Sequence, residues 1–145
     1  MLLFHFYFNN DYFFLKLCNN LALGIQMISI AEAMNLGTKL GADPKLLADV
    51  FNCSTARCWS SDSYNPVPGV MEGVPSSRGY EGGFGVDLIS KDLSLALTAA
   101  QTVKASIPLG ATALQLYNLI STHGLGGKDF GIPYAFFNNT IEKKK

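Results

Sequence analysis

A proline-free segment from Leu15 to Leu40 constrains the fold of this chain more than any other feature of its sequence. Apolar side chains recur along it at intervals of three and four residues, which is the spacing of one face of an α-helix. We therefore predict a helix of about seven turns with one apolar face. The positions on that face are Leu17, Leu21, Ile25, Ile28 and Ala31.

Proline and glycine set the limits of the other helices, because proline fits the first turn of a helix and glycine often follows the last. Gly41 ends the first helix, and Asp43 caps a second helix that runs from Pro44 to about Asn52. No segment is convincing as a strand, so we predict an all-α fold. A helical turn is predicted near Thr55–Ser60, and a third helix from Asp87 to about Lys104 with a core stripe of Ile89, Leu93, Ala96, Ala100 and Val103. A fourth helix is opened by Ser106 and Pro108 and ended by Gly124. The last predicted element is an interrupted helix from Asp129 to Ile141 that contains Pro133.

A long aperiodic loop separates the second of these helices from the third. The stretch from Cys58 to Pro75 reads CWSSDSYNPVPGVMEGVP, and its prolines and glycines rule out a long regular element. Gly82, Gly83 and Gly85 close the loop. A loop of this length inside a compact domain more often has a functional role than none.

The composition excludes several classes of protein. A length of 145 residues suits one domain, and 11 acidic residues balance 11 basic ones, which argues against nucleic-acid binding. Charged residues are only 15% of the chain, which suggests that part of the surface is covered by another surface. Three cysteines without a Cys-x-x-Cys pair favour a reducing compartment, and no metal site is expected. The apolar start MLLFHFYF is too short to span a membrane, so no membrane partner is expected.

Lys16 and Asn20 are four residues apart and therefore share a face of the first helix, with Asn19 beside them. An ammonium beside a carboxamide suits a carbonyl substrate, because the amide fixes an oxygen and the lysine exchanges a proton with it. The alternative is a solvated helix face without chemistry.

Lys91 precedes Asp92 near the start of the third long helix, on a stripe with Leu88 and Leu95. Such a lysine usually lays its stem along apolar surface, but it could also reach a cofactor held by another domain. The stretch Gly82–Gly85, which contains Phe84, lacks the preceding strand and the spacing of a dinucleotide fingerprint. The chain therefore has no recognisable nucleotide-binding fold of its own.

These motifs together resemble the β-hydroxyacid dehydrogenase family, and in particular its 3-hydroxyisobutyrate dehydrogenase branch. The similarity covers about residues 16–130, and the aperiodic loop is its most specific part. Residues 1–15 lie outside it and are interpreted as a non-family N-terminal segment, and residues 16–145 as the helical C-terminal domain. The matching stretches are Lys16–Asn20, Ala31–Gly37, Arg57–Asp62, Tyr64–Met71, Gly82–Gly85 and Lys91–Leu93.

The resemblance implies a two-domain enzyme in which a Rossmann domain, absent here, binds NAD and the helical domain completes the substrate site. It implies oxidation of 3-hydroxyisobutyrate to methylmalonate semialdehyde in valine breakdown, in the mitochondrion, by a homodimer or higher homo-oligomer. It also implies roles for residues: Lys16 is the catalytic lysine, Asn20 and Asn19 bind the substrate, Lys91 contacts the cofactor, and Phe84 packs near the nicotinamide.

The chain departs from the family just before Lys16, where the family has glycines and this sequence has Asn10–Leu15. Since hydride transfer requires the nicotinamide to be held against the substrate, we expect the isolated chain to be inactive. Three alternatives stay open: a related enzyme acting on another short hydroxyacid, a non-catalytic helical dimerisation module, and a generic helical bundle.

Overall fold

The computed structural model describes the backbone of residues 2–140 and the side chains of residues 12–140. Within this range the chain contains no β-strand, and one isolated antiparallel bridge joins Gly85 to Asp129. The predicted all-α fold is confirmed. The helices are α1 (Leu2–Lys39), α2 (Pro44–Asn52), α3 (Trp59–Asp62), α4 (Val86–Val103), α5 (Pro108–Ile120) and α6 (Pro133–Phe137), with a 3₁₀ turn at Pro75–Arg78 and a π turn at Ser121–Leu125.

Helix α1 is longer than predicted, because it begins at Leu2 and not at Leu15. Residues 2–14 contain neither proline nor glycine, so nothing interrupts the helix before Lys16. It ends as predicted at Gly41, which has a φ of 93° and donates its N–H to the Thr38 carbonyl at 3.0 Å.

The section of α1 from Tyr12 to Lys39 is long and apolar enough to cross a membrane by length and composition alone. Helices α2, α4, α5 and α6 pack along it, and the core residues Met27 and Met34 on it are completely buried. Its buried apolar residues therefore form part of the core of a packed domain, as the period of three and four residues predicts, whereas Tyr12–Leu15 are exposed.

Several predicted boundaries are corrected by the structure. The helical turn placed near Thr55–Ser60 is α3, which begins four residues later, at Trp59, and ends at Asp62. The helix that Ser106 was expected to open has Ile107 as its N-cap. Pro133 does not interrupt the last helix but begins it, because proline is well tolerated in the first turn. The helix was predicted to continue to Ile141, but α6 ends at Phe137. Ile141 itself and the terminal lysines lie outside the described residues.

The core stripe of α4 is confirmed at four of its five positions. Ile89 and Leu93 are fully buried, but Val103 is 73% exposed because the helix ends there.

The aperiodic loop is ordered by its own polar groups. The Asn65 side chain accepts from the Val67 N–H at 3.0 Å, and the Tyr80 hydroxyl donates to the Pro66 carbonyl at 2.8 Å.

Candidate functional site

Asn20 on α1 and Asp92 on α4 form the centre of a polar cluster between the two helices. The amide nitrogen Nδ2 of Asn20 donates to Oδ2 of Asp92 at 2.6 Å, and the two residues are only 8% and 6% exposed. Asn19 donates from its own Nδ2 to Oδ1 of Asn20 at 3.2 Å. A hydrogen bond to a buried carboxylate is among the stronger side-chain bonds in proteins, so the Asn20 amide is held in one orientation.

Lys91 joins the same cluster through Asp92. Its ammonium Nζ lies 3.1 Å from Oδ1 of Asp92, while the lysine side chain is 58% exposed. The carboxylate thus faces the Asn20 amide with one oxygen and the Lys91 ammonium with the other. The lysine presents a positive charge to solvent directly beside a fixed amide.

Close contact between α1 and α4 makes this geometry possible. Gly24 lies one turn beyond Asn20, and a Cβ atom there would meet both Cδ atoms of Leu93 at 3.3 Å. Leu93 follows Asp92 directly and is fully buried. The missing side chain at Gly24 therefore lets the two helices approach closely enough for the Asn20–Asp92 hydrogen bond.

Lys16 is exposed and lies one turn before Asn20 on α1. Both residues lie in α1, where side chains four residues apart are neighbours, but Lys16 is exposed whereas Asn20 is buried. Lys16 and Lys91 both lie within one turn of the Asn20–Asp92 hydrogen bond. Two cations beside an oriented amide can bind an oxygen anion or a polarised carbonyl.

Phe84 lies elsewhere, in the turn that closes the loop. Its ring packs edge-on against Phe130 with centroids 5.6 Å apart, and its N–H donates to Oδ2 of Asp129 at 3.0 Å. It is only partly buried, and its backbone carbonyl accepts from the Phe130 N–H at 2.7 Å. Its predicted position beside the nicotinamide stays a prediction.

Sequence reasoning missed Asp92 as a member of the site. The signal was present, because Asp92 lies three residues after Ile89 and four before Ala96, on the buried stripe of α4. An acidic residue on a core stripe requires a partner, since burying a lone carboxylate is costly. Only the fold identifies that partner as Asn20.

The exposed ammonium groups of Lys16 and Lys91 fit the anionic cofactor that the resemblance implies. The part of the chain with described coordinates contains no strand followed by a glycine-rich turn. It also contains no group of three metal-ligating side chains.

Comparisons with known proteins find similarity over most of the chain. A family model described as the NAD-binding domain of NADP-dependent 3-hydroxyisobutyrate dehydrogenase matches residues 13–136. A probable mitochondrial 3-hydroxyisobutyrate dehydrogenase of Dictyostelium discoideum is 54% identical over 88% of this chain and 40% of its own length. The human mitochondrial 3-hydroxyisobutyrate dehydrogenase is 55% identical over 83% of this chain and 36% of its own length.

Solved structures show the same relationship. A Mycobacterium tuberculosis 3-hydroxyisobutyrate dehydrogenase superposes with a TM-score of 0.80 at 35% identity, over 84% of this chain and 42% of that one. One from Salmonella typhimurium gives a TM-score of 0.73 at 26% identity, over 85% of this chain and 41% of that one. The chain thus spans about two fifths of the length of the relatives that it matches.

Proposed function

The chain belongs to the 3-hydroxyisobutyrate dehydrogenase family, and we propose that it forms the helical wall of that enzyme's active site. The observation that carries the proposal is the linked set of Asn20, Asp92 and Lys91, which brings predicted substrate and cofactor residues from two helices together. The other wall is a nucleotide-binding domain, supplied by protein beyond these 145 residues.

The proposed reaction is the oxidation of 3-hydroxyisobutyrate to methylmalonate semialdehyde, a step of valine breakdown. NAD, when bound, takes the hydride from the carbon that carries the hydroxyl group. The eukaryotic relatives are named mitochondrial, which supports the mitochondrion as the location. The proposed compartment within it is the matrix.

Lys16 is the proposed catalytic residue. Its amine accepts the proton of the substrate hydroxyl during oxidation and returns it during reduction. Asn20, with its amide fixed by Asp92, holds the substrate oxygen one turn away, and Asn19 supports the Asn20 carbonyl. A fixed donor is effective because it does not have to reorient when charge develops on that oxygen.

Lys91 is the proposed contact to the cofactor, and Asp92 keeps its ammonium beside Asn20. Phe84 is a second and weaker candidate for packing on the nicotinamide side. By itself the 145-residue chain is proposed to be inactive, because hydride transfer needs both walls of the site at once.

The proposed partner is a second copy of the chain, through the helical domain. Exposed apolar side chains support this, since Phe14, Val103 and Leu109 are more than half exposed. A groove of about 380 Å³ lies beside them, lined by residues of α1, of α4 and of the connection between α4 and α5. Apolar surface of this kind often marks an interface.

A chimeric enzyme tests the function. Residues 13–136 replace the matching segment of the human relative, and the product is assayed for NAD reduction with 3-hydroxyisobutyrate. We expect activity, and we expect Lys16→Met to lower kcat by about 10²-fold or more. Lys45→Met, an exposed lysine on α2, is the matched control and should leave kcat unchanged.

Other outcomes overturn parts of the proposal. A folded chimera that reduces NAD only with a different short hydroxyacid identifies a related β-hydroxyacid dehydrogenase. A folded, dimeric chimera that reduces no NAD with any of them identifies a non-catalytic helical module. Equal activity of the Lys16→Met and Lys45→Met variants removes Lys16 from the reaction.

A further inference from the structure

The carboxylate of Asp129 is a second buried acid, far along the chain from the cluster around Asp92. It is 1% exposed and accepts three hydrogen bonds. Oδ2 accepts from the Tyr64 hydroxyl at 2.9 Å and from the Phe84 N–H at 3.0 Å, and Oδ1 accepts from the Gly131 N–H at 2.9 Å. One side chain therefore connects the aperiodic loop, the turn at Gly82–Gly85 (the glycine turn) and the segment before α6.

The glycine turn fits closely around this carboxylate. A Cβ atom at Gly83 would lie 2.6 Å from the Tyr64 hydroxyl and 2.7 Å from Cγ of Pro75, in addition to colliding with Asp129. The φ of Gly83 is 74°, which disfavours other residues. The turn therefore has little room to move while its contacts to Asp129 are in place.

The turn leads directly into α4, which carries the Lys91 and Asp92 side chains. The Phe130 N–H donates to the Phe84 carbonyl at 2.7 Å, and the Val86 N–H donates to the Lys128 carbonyl at 2.8 Å. The start of α4 is thus fixed to the segment that contains Asp129. Any shift of that start moves Lys91 and Asp92 as well, because they lie within the first two turns.

We propose that Asp129 is a positioning residue of the site, which fixes the turn at Phe84 and the first turns of α4 so that Asp92 meets Asn20. The described residues place no ion pair on Asp129, whose partners are one hydroxyl and two N–H groups. A carboxylate held only by neutral donors is suited to fix backbone, because each bond has a defined direction. The functional meaning of this role rests on the proposed function, but the geometry does not.

The test uses the 145-residue chain and the variant Asp129→Asn. The amide keeps one oxygen, so it cannot accept from Gly131 and also from Phe84 and Tyr64. We expect the NMR resonances of the Asn20 side-chain amide to shift, and its protons to exchange with solvent about tenfold faster. The fluorescence of Trp59, which stacks on Tyr64 with centroids 4.6 Å apart, should change too.

Tyr117→Phe is the matched control. It removes another buried hydrogen bond of the same segment, from the Tyr117 hydroxyl to the Phe130 carbonyl at 3.0 Å, and leaves the Asp129 bonds in place. Its Asn20 resonances should stay unchanged. If Asp129→Asn fails to fold, Tyr64→Phe removes only one donor and should give a smaller Asn20 shift of the same kind.

Unchanged Asn20 resonances in folded Asp129→Asn would overturn the inference and leave Asp129 with a purely structural role. That result would not affect the chimera experiment on Lys16. Conversely, an inactive chimera would refute the proposed function without changing the link between Asp129 and Asn20.

Discussion

At the scale of single residues, the two buried carboxylates have different hydrogen-bond partners. Asp92 has an ammonium and an amide as partners, whereas Asp129 has only uncharged donors. Burial raises the pKa of Asp129 above its ordinary value of 3.8, although its three hydrogen bonds and the more distant Arg78 oppose the shift. The folded chain therefore holds the Asp129 proton more tightly than the unfolded chain does.

The raised pKa of Asp129 predicts a dependence of stability on pH. As pH rises from about 3.8 through the raised pKa of Asp129, the unfolded chain loses its proton first. The free energy of unfolding should fall across that window, because stability falls with pH wherever the folded state binds more protons. Urea denaturation of the wild type and of Asp129→Asn at a series of pH values measures the effect as the difference between the two.

Asp62 provides a control of opposite sign. The Ser63 hydroxyl and the Arg57 guanidinium lower the pKa of that carboxyl, so its contribution is lost as pH falls below 3.8. The wild type should therefore lose stability relative to Asp62→Asn on acidification, and gain it relative to Asp129→Asn. A difference between the wild type and Asp129→Asn that is flat from pH 3.8 to neutrality would contradict the prediction.

Part of the site could be predicted at this scale. Lys16 and Asn20 share a helix, so their spacing alone places them on one face. Lys91 came from the resemblance and from its exposed stripe. The partners of Asp92 and Asp129 could not be assigned, since the partner of the first is 72 residues away and a donor to the second is 65 residues away. No local pattern encodes such contacts.

At the scale of elements, the loop from Cys58 to Gly85 illustrates what sequence predicts and what it does not. Its prolines and glycines correctly exclude a long helix, and the structure adds only α3 and a 3₁₀ turn within it. Its order could not be predicted. Order arises from buried polar groups such as Asn65 and Ser76, whose hydroxyl donates to the Asn65 carbonyl at 2.7 Å.

Two glycines of this loop allow a matched test of how closely it packs. Gly73 and Gly83 have nearly equal φ values, 76° and 74°. A Cβ at Gly73 would meet nothing within 4 Å, whereas one at Gly83 would collide with Tyr64 and Asp129. Because the two φ values are nearly equal, both alanine variants should carry similar backbone strain. The difference between their free energies of unfolding therefore measures the steric clash at Gly83. We expect Gly83→Ala to lower the free energy of unfolding by about 1–3 kcal/mol more than Gly73→Ala.

Thermal or urea unfolding followed by circular dichroism measures both variants. Equal losses of stability would show that the glycine turn can move away from Asp129, which would also weaken the positioning role proposed for that residue.

At the scale of the whole molecule, the all-α class followed from helical periodicity and from proline and glycine positions. The central position of α1 could be predicted only in part. The periodicity indicates one apolar face, whereas α1 contacts both α4 and α6. The exposed apolar residues Tyr12–Leu15 of α1 and Val103 at the end of α4 could not be assigned to a partner from sequence. Val103 shows why: it continues the core stripe of α4 in sequence, yet it is 73% exposed and lines the groove.

That position makes Val103 the sharpest test of self-association. If a second copy covers the groove, Val103→Glu places a charge in apolar contact and removes the burial of a valine, which is worth about 1.5–3 kcal/mol. The dissociation constant of the dimer should rise by about tenfold or more.

Val50→Glu is the matched control, because Val50 is half exposed on α2 and outside the groove lining. Analytical ultracentrifugation over a concentration series measures both. Identical dissociation constants for the two variants would show that this face does not form the dimer, and the groove would then belong to the contact with the nucleotide-binding domain.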